Sequence, residues 1–492
     1  MSDSAANTYL AFDLGAESGR AVIGRLQSGI LTAQEIHRFP NEPVNEGGSL
    51  RWDVRKLWSE IRKSLDKVRE TPLTSIGVDA WGVDYALLDA NGELLHNPFH
   101  YRDCRTEGAM EEVLRKVPKE EIYRATGIQF MPINTLYQLY AERRGNPEAI
   151  ASAKHLVTIP DLFNYWLTGN ITCEFTNATT TQMVDPVARN WANDLMARLG
   201  LPSSLPATIV EPGSTIGSLL TDLVPGNSPI SVIAPACHDT GSAVAAISAR
   251  EGTAFISSGT WSLVGIELDA PVITPDSLLL NFTNEGGVCG TTRLLKNIMG
   301  LWMLQGCRQS WAAQRHPFEY RPLMDLAAQE PPFRHLVDPD DESFLHPADM
   351  LEAIRSFCRK TQQPLPETPA AFVRAILESL AFKYRLVLGQ LEALTGTKIE
   401  QIRVVGGGSK NSLLNQMTAD ATGRRVLAGP AEATALGNIA VQIIATGGST
   451  SLSEARGIID RSFPTVIFEP REIDRWECEA ERFEHYCERT YA

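Results

Sequence analysis

The chain has 492 residues, 43% of them hydrophobic and 21% charged, with a net charge of −14. This is globular composition with length for about two to four domains, and the acidic balance disfavours a general binder of nucleic acid or anionic membrane. No apolar stretch reaches the roughly 18 residues of a spanning helix, and none of the eight scattered cysteines forms a C-x-x-C pair, which argues against a zinc ribbon or a thioredoxin-type site.

The N-terminal "MSDSAANTYLAFD" lacks the basic and apolar regions of an export signal, so a cytoplasmic chain with reduced thiols is expected. "YLAFDLGAESGRAVIGRL" then reads as strand, tight turn, strand. A Walker loop or a dinucleotide fingerprint needs strand, Gly loop and helix, and neither motif occurs in the chain. The turn sets one carboxylate, Asp13, beside Gly15, Ser18 and Gly19. Free N–H groups in such a turn can cradle phosphate, and a carboxylate there needs an intervening cation such as hydrated Mg²⁺. Asp13 is equally consistent with a β-turn aspartate accepting backbone N–H bonds.

"SIGVDAWGVDYALLD" reads as two strands around Trp81 and Gly82. In "HNPFH", Pro98 breaks any helix that would align His96 with His100 as a metal pair. "PISVIAPACHDTGSAVAAI" reads as a strand to Ala236 and a small-residue helix from about Asp239. A carboxylate there would be held ionised by the helix dipole and could take a proton from a sugar hydroxyl; helix capping is the plainer role. A seam between two halves falls near "AVAAISAREG", with no Pro/Ser linker.

"GTAFISSGTWSLVGIEL" repeats the opening pattern, with Ala254 standing 243 residues after Ala11. The two hairpins either converge on one phosphate chain or are unrelated turns. "LLKNIMGLWMLQ" leads Lys296 and Asn297 into an apolar helix containing Trp302, expected in the core, and "QEPPFRHLVDPDDESFLHP" reads as an exposed loop. "IEQIRVVGGGSKNSLLNQMTADATG" reads as a strand to Val405, three glycines and a helix from about Asn411, where a planar base could lie or a connector could simply bend. "EATALGNIAVQIIATGG" is a helix ending at glycines, and the tail "REIDRWECEAERFEHYCERTYA" a charged helix.

In this order, "DLGAESGR", "GVDAWGVD", "CHDTGSAV", "SSGTWS", "VVGGGSKN" and "GPAEATALGNIAVQ" resemble the FGGY carbohydrate kinases along essentially the whole chain. The resemblance implies an α/β, two-lobed actin-like (ribonuclease-H-like) ATPase fold with a central cleft. Residues 1–246 would carry the sugar site, the first phosphate hairpin and the catalytic Asp, and residues 247–492 the second hairpin and the adenosine site. Asp13 would organise Mg²⁺. Ala16, Glu17, Ser18, Gly19 and Arg20 would surround the ATP phosphates, joined by Thr260. Gln305 and Gly407 would meet the nucleotide. Gly82, His238, Asp239, Thr240 and Asn297 would meet the sugar, with Asp239 as the base.

"AWGVDYALLD", "TGIQFMPINTLYQL", "TNATTTQ" and "NEGG…LLKNIMGLW" are most similar to the members acting on L-rhamnulose. They imply transfer of ATP's γ-phosphoryl group to the C1 hydroxyl of that ketose; a monomer with no nucleic-acid or membrane partner is a separate expectation, which these stretches do not decide. A fuculose or xylulose kinase of the same family and a sugar-independent actin-like ATPase switch are the alternatives. Two departures stand out: Glu17 puts an acid in the phosphate turn, and Cys237 stands where related sequences carry Ser.

Overall fold

The strand Asn7–Leu14 is buried along its length after Asn7, as its nearly unbroken apolar run requires of a strand covered on both faces. It pairs antiparallel with Ser18–Gln27 and parallel with Ser75–Ala80, so Asp13 lies in register with Arg20 on one side and Asp79 on the other. The six-stranded sheet runs in the order Thr215–Ser218, Ser231–Ile233, Ser75–Ala80, Asn7–Leu14, Ser18–Gln27, Ile30–Pro40. These are features of a computed structural model that describes residues 7–224, 229–247, 252–345 and 347–490.

The chain divides into two units. One comprises Met1–Ser248, Glu267–Leu294 and Ala433–Phe463; the other comprises Ala249–Ile266, Leu295–Glu432 and Pro464–Ala492. In the first, the helix Ala433–Ala445 packs on the strands Asn7–Leu14 and Ser75–Ala80 and on the short helix Asp239–Ala245. Its buried polar residues are bonded into the sheet: Gln442 Nε2 donates to the Leu10 carbonyl at 3.1 Å, and Ser75 Oγ donates to Gln442 Oε1 at 2.7 Å.

The second unit repeats the same strand logic. Thr253–Ser258 pairs antiparallel with Trp261–Leu268 and parallel with Gln401–Val405, which continues to Arg425–Ala428 and the antiparallel Val466–Phe468. The helix Pro369–Thr395 packs against the helix Ser412–Thr422. The charged C-terminal helix Ile473–Thr490 buries Trp476, whose ring centroid lies 4.8 Å from that of Phe333 and 4.7 Å from that of Phe382.

Three expectations need adjustment. Lys296 and Asn297 lie within the strand Thr292–Met299, and the helix begins only at Trp302. The strand leading to His238 stops at Ile233, short of Ala236. The Pro-rich segment is not an exposed loop throughout: Leu336, Val337 and Asp338 are fully buried. The cause is Lys383, a buried cation of the long helix, whose Nζ lies 2.7 Å from Asp338 Oδ1 and 2.9 Å from Asp340 Oδ2. The expected seam at residues 243–252 runs through 248–251, which lie outside the described residues, as do residues 1–6 of the N-terminal stretch.

Candidate active site

In the first unit the opening hairpin turns through a Gly15 N–H to Ser18 carbonyl bond of 3.0 Å. Asn41 steadies the turn by donating from Nδ2 to the Gly15 carbonyl at 2.9 Å. Glu17 is exposed at its tip. Asp13, at the end of the strand, accepts from Arg20 Nε at 2.8 Å and from the second guanidinium nitrogen at 2.5 Å.

A carboxylate not singled out in the sequence joins it. Asp79 is fully buried, and its Oδ2 accepts from Asn438 Nδ2 at 2.6 Å. Its Oδ1 has no hydrogen-bond partner among the described residues. Burial, then the Asp13 charge, push its carboxyl well above the ordinary range, and Asp239 adds to the effect. Its signal was the one that marked Asp13, an acid in an apolar strand. An orphaned buried oxygen within the field of two further carboxylates fits a cation. Among the described residues no three His, Cys, Asp or Glu side chains form a ready-made shell, which accords with an ion held by one or two carboxylates, water and phosphate.

Asp239 is the first residue of the helix Asp239–Ala245. His238 occupies the cap position, and its side chain makes no capping bond. Asp239 Oδ1 accepts from the Thr240 N–H at 2.5 Å, and its side chain keeps 28% exposure against 8% for Asp13. The helix N-terminus favours the anion, but burial raises the Asp239 pKa, His238 pulls it back and the Asp13 charge raises it further. Seven residues of helix give only a small dipole to oppose that desolvation.

The segments flanking Asp239 and Gly82 are tied together by the "TNATTTQ" stretch and by Glu174 just before it. Glu174 Oε2 accepts from the Cys237 N–H at 3.0 Å, and Thr176 Oγ1 accepts from the His238 N–H at 3.1 Å. Asn177 Nδ2 donates to the carbonyls of Trp81 at 3.3 Å and Cys237 at 3.4 Å, and the Val83 N–H donates to Thr180 Oγ1 at 3.0 Å. Beside Gly82, Asp84 Oδ2 accepts from the indoles of Trp52 at 2.5 Å and Trp81 at 2.9 Å.

In the second unit the Thr260 carbonyl accepts from the N–H groups of Gly300 and Trp302, both at 3.1 Å, and the Gly259 carbonyl accepts from Leu301 at 3.0 Å. Leu301 in turn accepts from the Gln305 N–H at 2.9 Å, so Thr260 and Gln305 belong to one bonded corner. The three glycines meet the same hairpin. Gly406 has φ +78° and a Cβ there would lie 2.9 Å from the Ser258 carbonyl oxygen, while one on Gly408 would lie 2.0 Å from Ser258 Oγ. A Cβ on Gly407 would meet nothing within 4 Å, so this residue faces open space. Asn411 caps the following helix by accepting from the Leu414 N–H at 3.0 Å. Asn297 lies half-buried on its strand.

Residues 8–245 match the N-terminal domain and residues 254–446 the C-terminal domain of the FGGY family of carbohydrate kinases. The chain belongs to that family. Among relatives of this FGGY kinase, the rhamnulokinase of Bacteroides thetaiotaomicron is 45% identical over 95% of the chain and 97% of its own length. That of Pectobacterium atrosepticum is 43% identical over 95% and 94%. Among solved structures, gluconate kinase from Lactobacillus acidophilus matches with a TM-score of 0.81 at 17% identity, covering 98% of this chain and 97% of that one. Plasmodium falciparum glycerol kinase with ADP matches with a TM-score of 0.79 at 17% identity, covering 99% of each. The fold of this FGGY kinase is the two-domain α/β actin-like ATPase fold expected from the sequence.

Proposed function

We propose that the protein transfers the γ-phosphoryl group of ATP to the C1 hydroxyl of L-rhamnulose, giving L-rhamnulose 1-phosphate and ADP. Nearly full-length similarity to rhamnulokinases at 41–45% identity supports the substrate. The observation that carries the chemistry is Asp239. Of the three carboxylates it keeps the most exposed surface, and burial raises its pKa above that of an ordinary carboxylate, which suits a group that must take up a proton.

In this reading Asp239 takes the C1 hydroxyl proton as the oxygen attacks phosphorus, and the bond to the β-phosphate bridging oxygen breaks in line. Gly82, His238, Thr240 and Asn297 hold the sugar. Ala16, Glu17, Ser18, Gly19, Arg20 and Thr260 surround the phosphates, and Gln305 and Gly407 hold the adenosine. Asp13 and Asp79 would hold Mg²⁺, which neutralises phosphate charge when bound with ATP. Arg20, paired with Asp13, stands at the phosphate turn as a further cation. The reading takes the enzyme to be a cytoplasmic monomer without nucleic-acid or membrane partners.

ATP consumption measured against a panel of ketoses and aldoses, with the phosphorylated carbon assigned by NMR, tests the reading. L-Rhamnulose 1-phosphate is the expected product. Preference for L-fuculose or D-xylulose would overturn the substrate, and hydrolysis independent of sugar would overturn the kinase chemistry.

A further inference from the structure

The "NEGG" motif contributes none of the sugar, phosphate or metal contacts assigned above, yet it places a carboxylate behind His238. Glu285 Oε2 lies 3.2 Å from His238 Nδ1 and 3.2 Å from an end nitrogen of Arg293. Arg293 is fully buried; its Nε donates to the Gly286 carbonyl at 2.9 Å, and its other end nitrogen lies 3.2 Å from His238 Nδ1. On the far side of the ring, Nε2 lies 3.5 Å from Asp239 Oδ1. We infer that Arg293 and Glu285 are positioning residues that hold His238 as its neutral Nε2–H tautomer, with that N–H directed at the Asp239 carboxylate and the substrate hydroxyl beside it. The consequence for the sugar rests on the proposed function; the tautomer does not.

The choice follows from the contacts on the two ring nitrogens. A guanidinium has donors only. With the proton on Nε2, Nδ1 accepts from Arg293 and Nε2–H faces the Asp239 oxygen; the one unfavourable contact is the Nδ1 lone pair against Glu285, with the guanidinium beside both. With the proton on Nδ1, that N–H confronts an arginine N–H, and the bare Nε2 confronts the Asp239 oxygen. Only the 3.2 Å approach to Glu285 is then favourable. A doubly protonated ring likewise points an Nδ1–H at the Arg293 N–H 3.2 Å away, and the guanidinium cannot accept it. The Nε2–H form leaves His238 a donor and Asp239 the only proton acceptor of the pair. Glu285 acts through Arg293 by keeping the buried guanidinium charge compensated.

Two measurements test this. In ¹⁵N-labelled wild-type protein, long-range ¹H–¹⁵N spectra, with His238 identified by comparison with His238→Gln, should show a pyridine-type Nδ1 and a protonated Nε2. The opposite assignment, or rapid exchange of the two forms, overturns the proposal whether or not the enzyme folds when its charges are altered. In Arg293→Lys, which keeps the cation but loses the fork, KM for L-rhamnulose should rise roughly ten- to a hundredfold, as misplaced substrate-positioning groups do, with KM for ATP unchanged. Equal rises in both, or an unchanged His238 signature in that variant, overturns it. Should wild type phosphorylate no ketose at all, the proposed function fails while the nitrogen assignment still decides the tautomer.

Discussion

Gly437 sits where the helix Ala433–Ala445 crosses the short helix that begins at Asp239. A Cβ at this position would lie 1.7 Å from the Ser242 carbonyl oxygen, against a tolerable minimum of 3.0 Å, so Gly437→Ala forces the two backbones apart by at least about 1.3 Å (3.0 less 1.7). The obstacle is main chain, and no side-chain rotation relieves it. Ser242 is one turn beyond Asp239, and its N–H bonds the His238 carbonyl at 3.0 Å, so the movement reaches the proposed base. Asn438, the next residue on the displaced helix, is the donor to Asp79. Overpacking of this kind costs roughly 1–3 kcal/mol, and a shift of about 1 Å in a reacting group costs about 10²-fold in rate. Thermal melting and kcat with L-rhamnulose measure the two effects. Gly389→Ala is the control: it lies exposed in the helix Pro369–Thr395, nothing stands within 4 Å of its Cβ, and the change should be neutral or stabilising by about 0.5–1 kcal/mol. Wild-type melting and wild-type kcat in Gly437→Ala would refute the reasoning.

Asp239→Asn should lower kcat by about 10²–10⁴-fold while leaving ATP affinity intact, read by steady-state kinetics and calorimetric titration of nucleotide. Glu174 is raised to about 8 by burial, so the folded state holds a proton that the unfolded state releases near 4.5. Its stabilising effect is therefore full below that value and is lost as pH rises through about 8, a change on the order of 5 kcal/mol. Melting temperature should fall between pH 5 and 9 in wild type and fall less steeply in Glu174→Gln; parallel profiles would contradict the assignment. Lys383→Met strands Asp338 and Asp340 and should destabilise by about 3–5 kcal/mol in denaturant titration, with Asp338→Asn in the same chain restoring part of the loss.

Both hairpins were legible because period-two alternation and Gly/Ser turns are local signals, and the helices at Asp239, Asn411 and Ala433 announced themselves by composition and caps. What escaped was contact between distant stretches. Asp79 becomes Asp13's neighbour only through parallel pairing, and the chain text between them says nothing of that register. The segment containing Asp338 reads as a surface loop because its buried partner, Lys383, lies 45 residues further on. The "TNATTTQ" and "NEGG" stretches were visible as family-specific text without a visible purpose. Their side chains hold other residues in place, and such second-hand roles leave no spacing rule to find.

The unit containing Asp13, Asp79 and Asp239 is finished by residues Ala433–Phe463. A ribosome that has translated as far as residue 248 must still lay down 184 more before residue 433, roughly 10–40 s at the usual 5–20 residues per second. Throughout that interval Asp79 is without the amide that greets its Oδ2, and the sheet face at Leu10 and Ser75 lacks its covering Gln442. The nascent chain thus carries this acidic interior half-clothed until residues 433–463 have been made, and its assembly must wait for them.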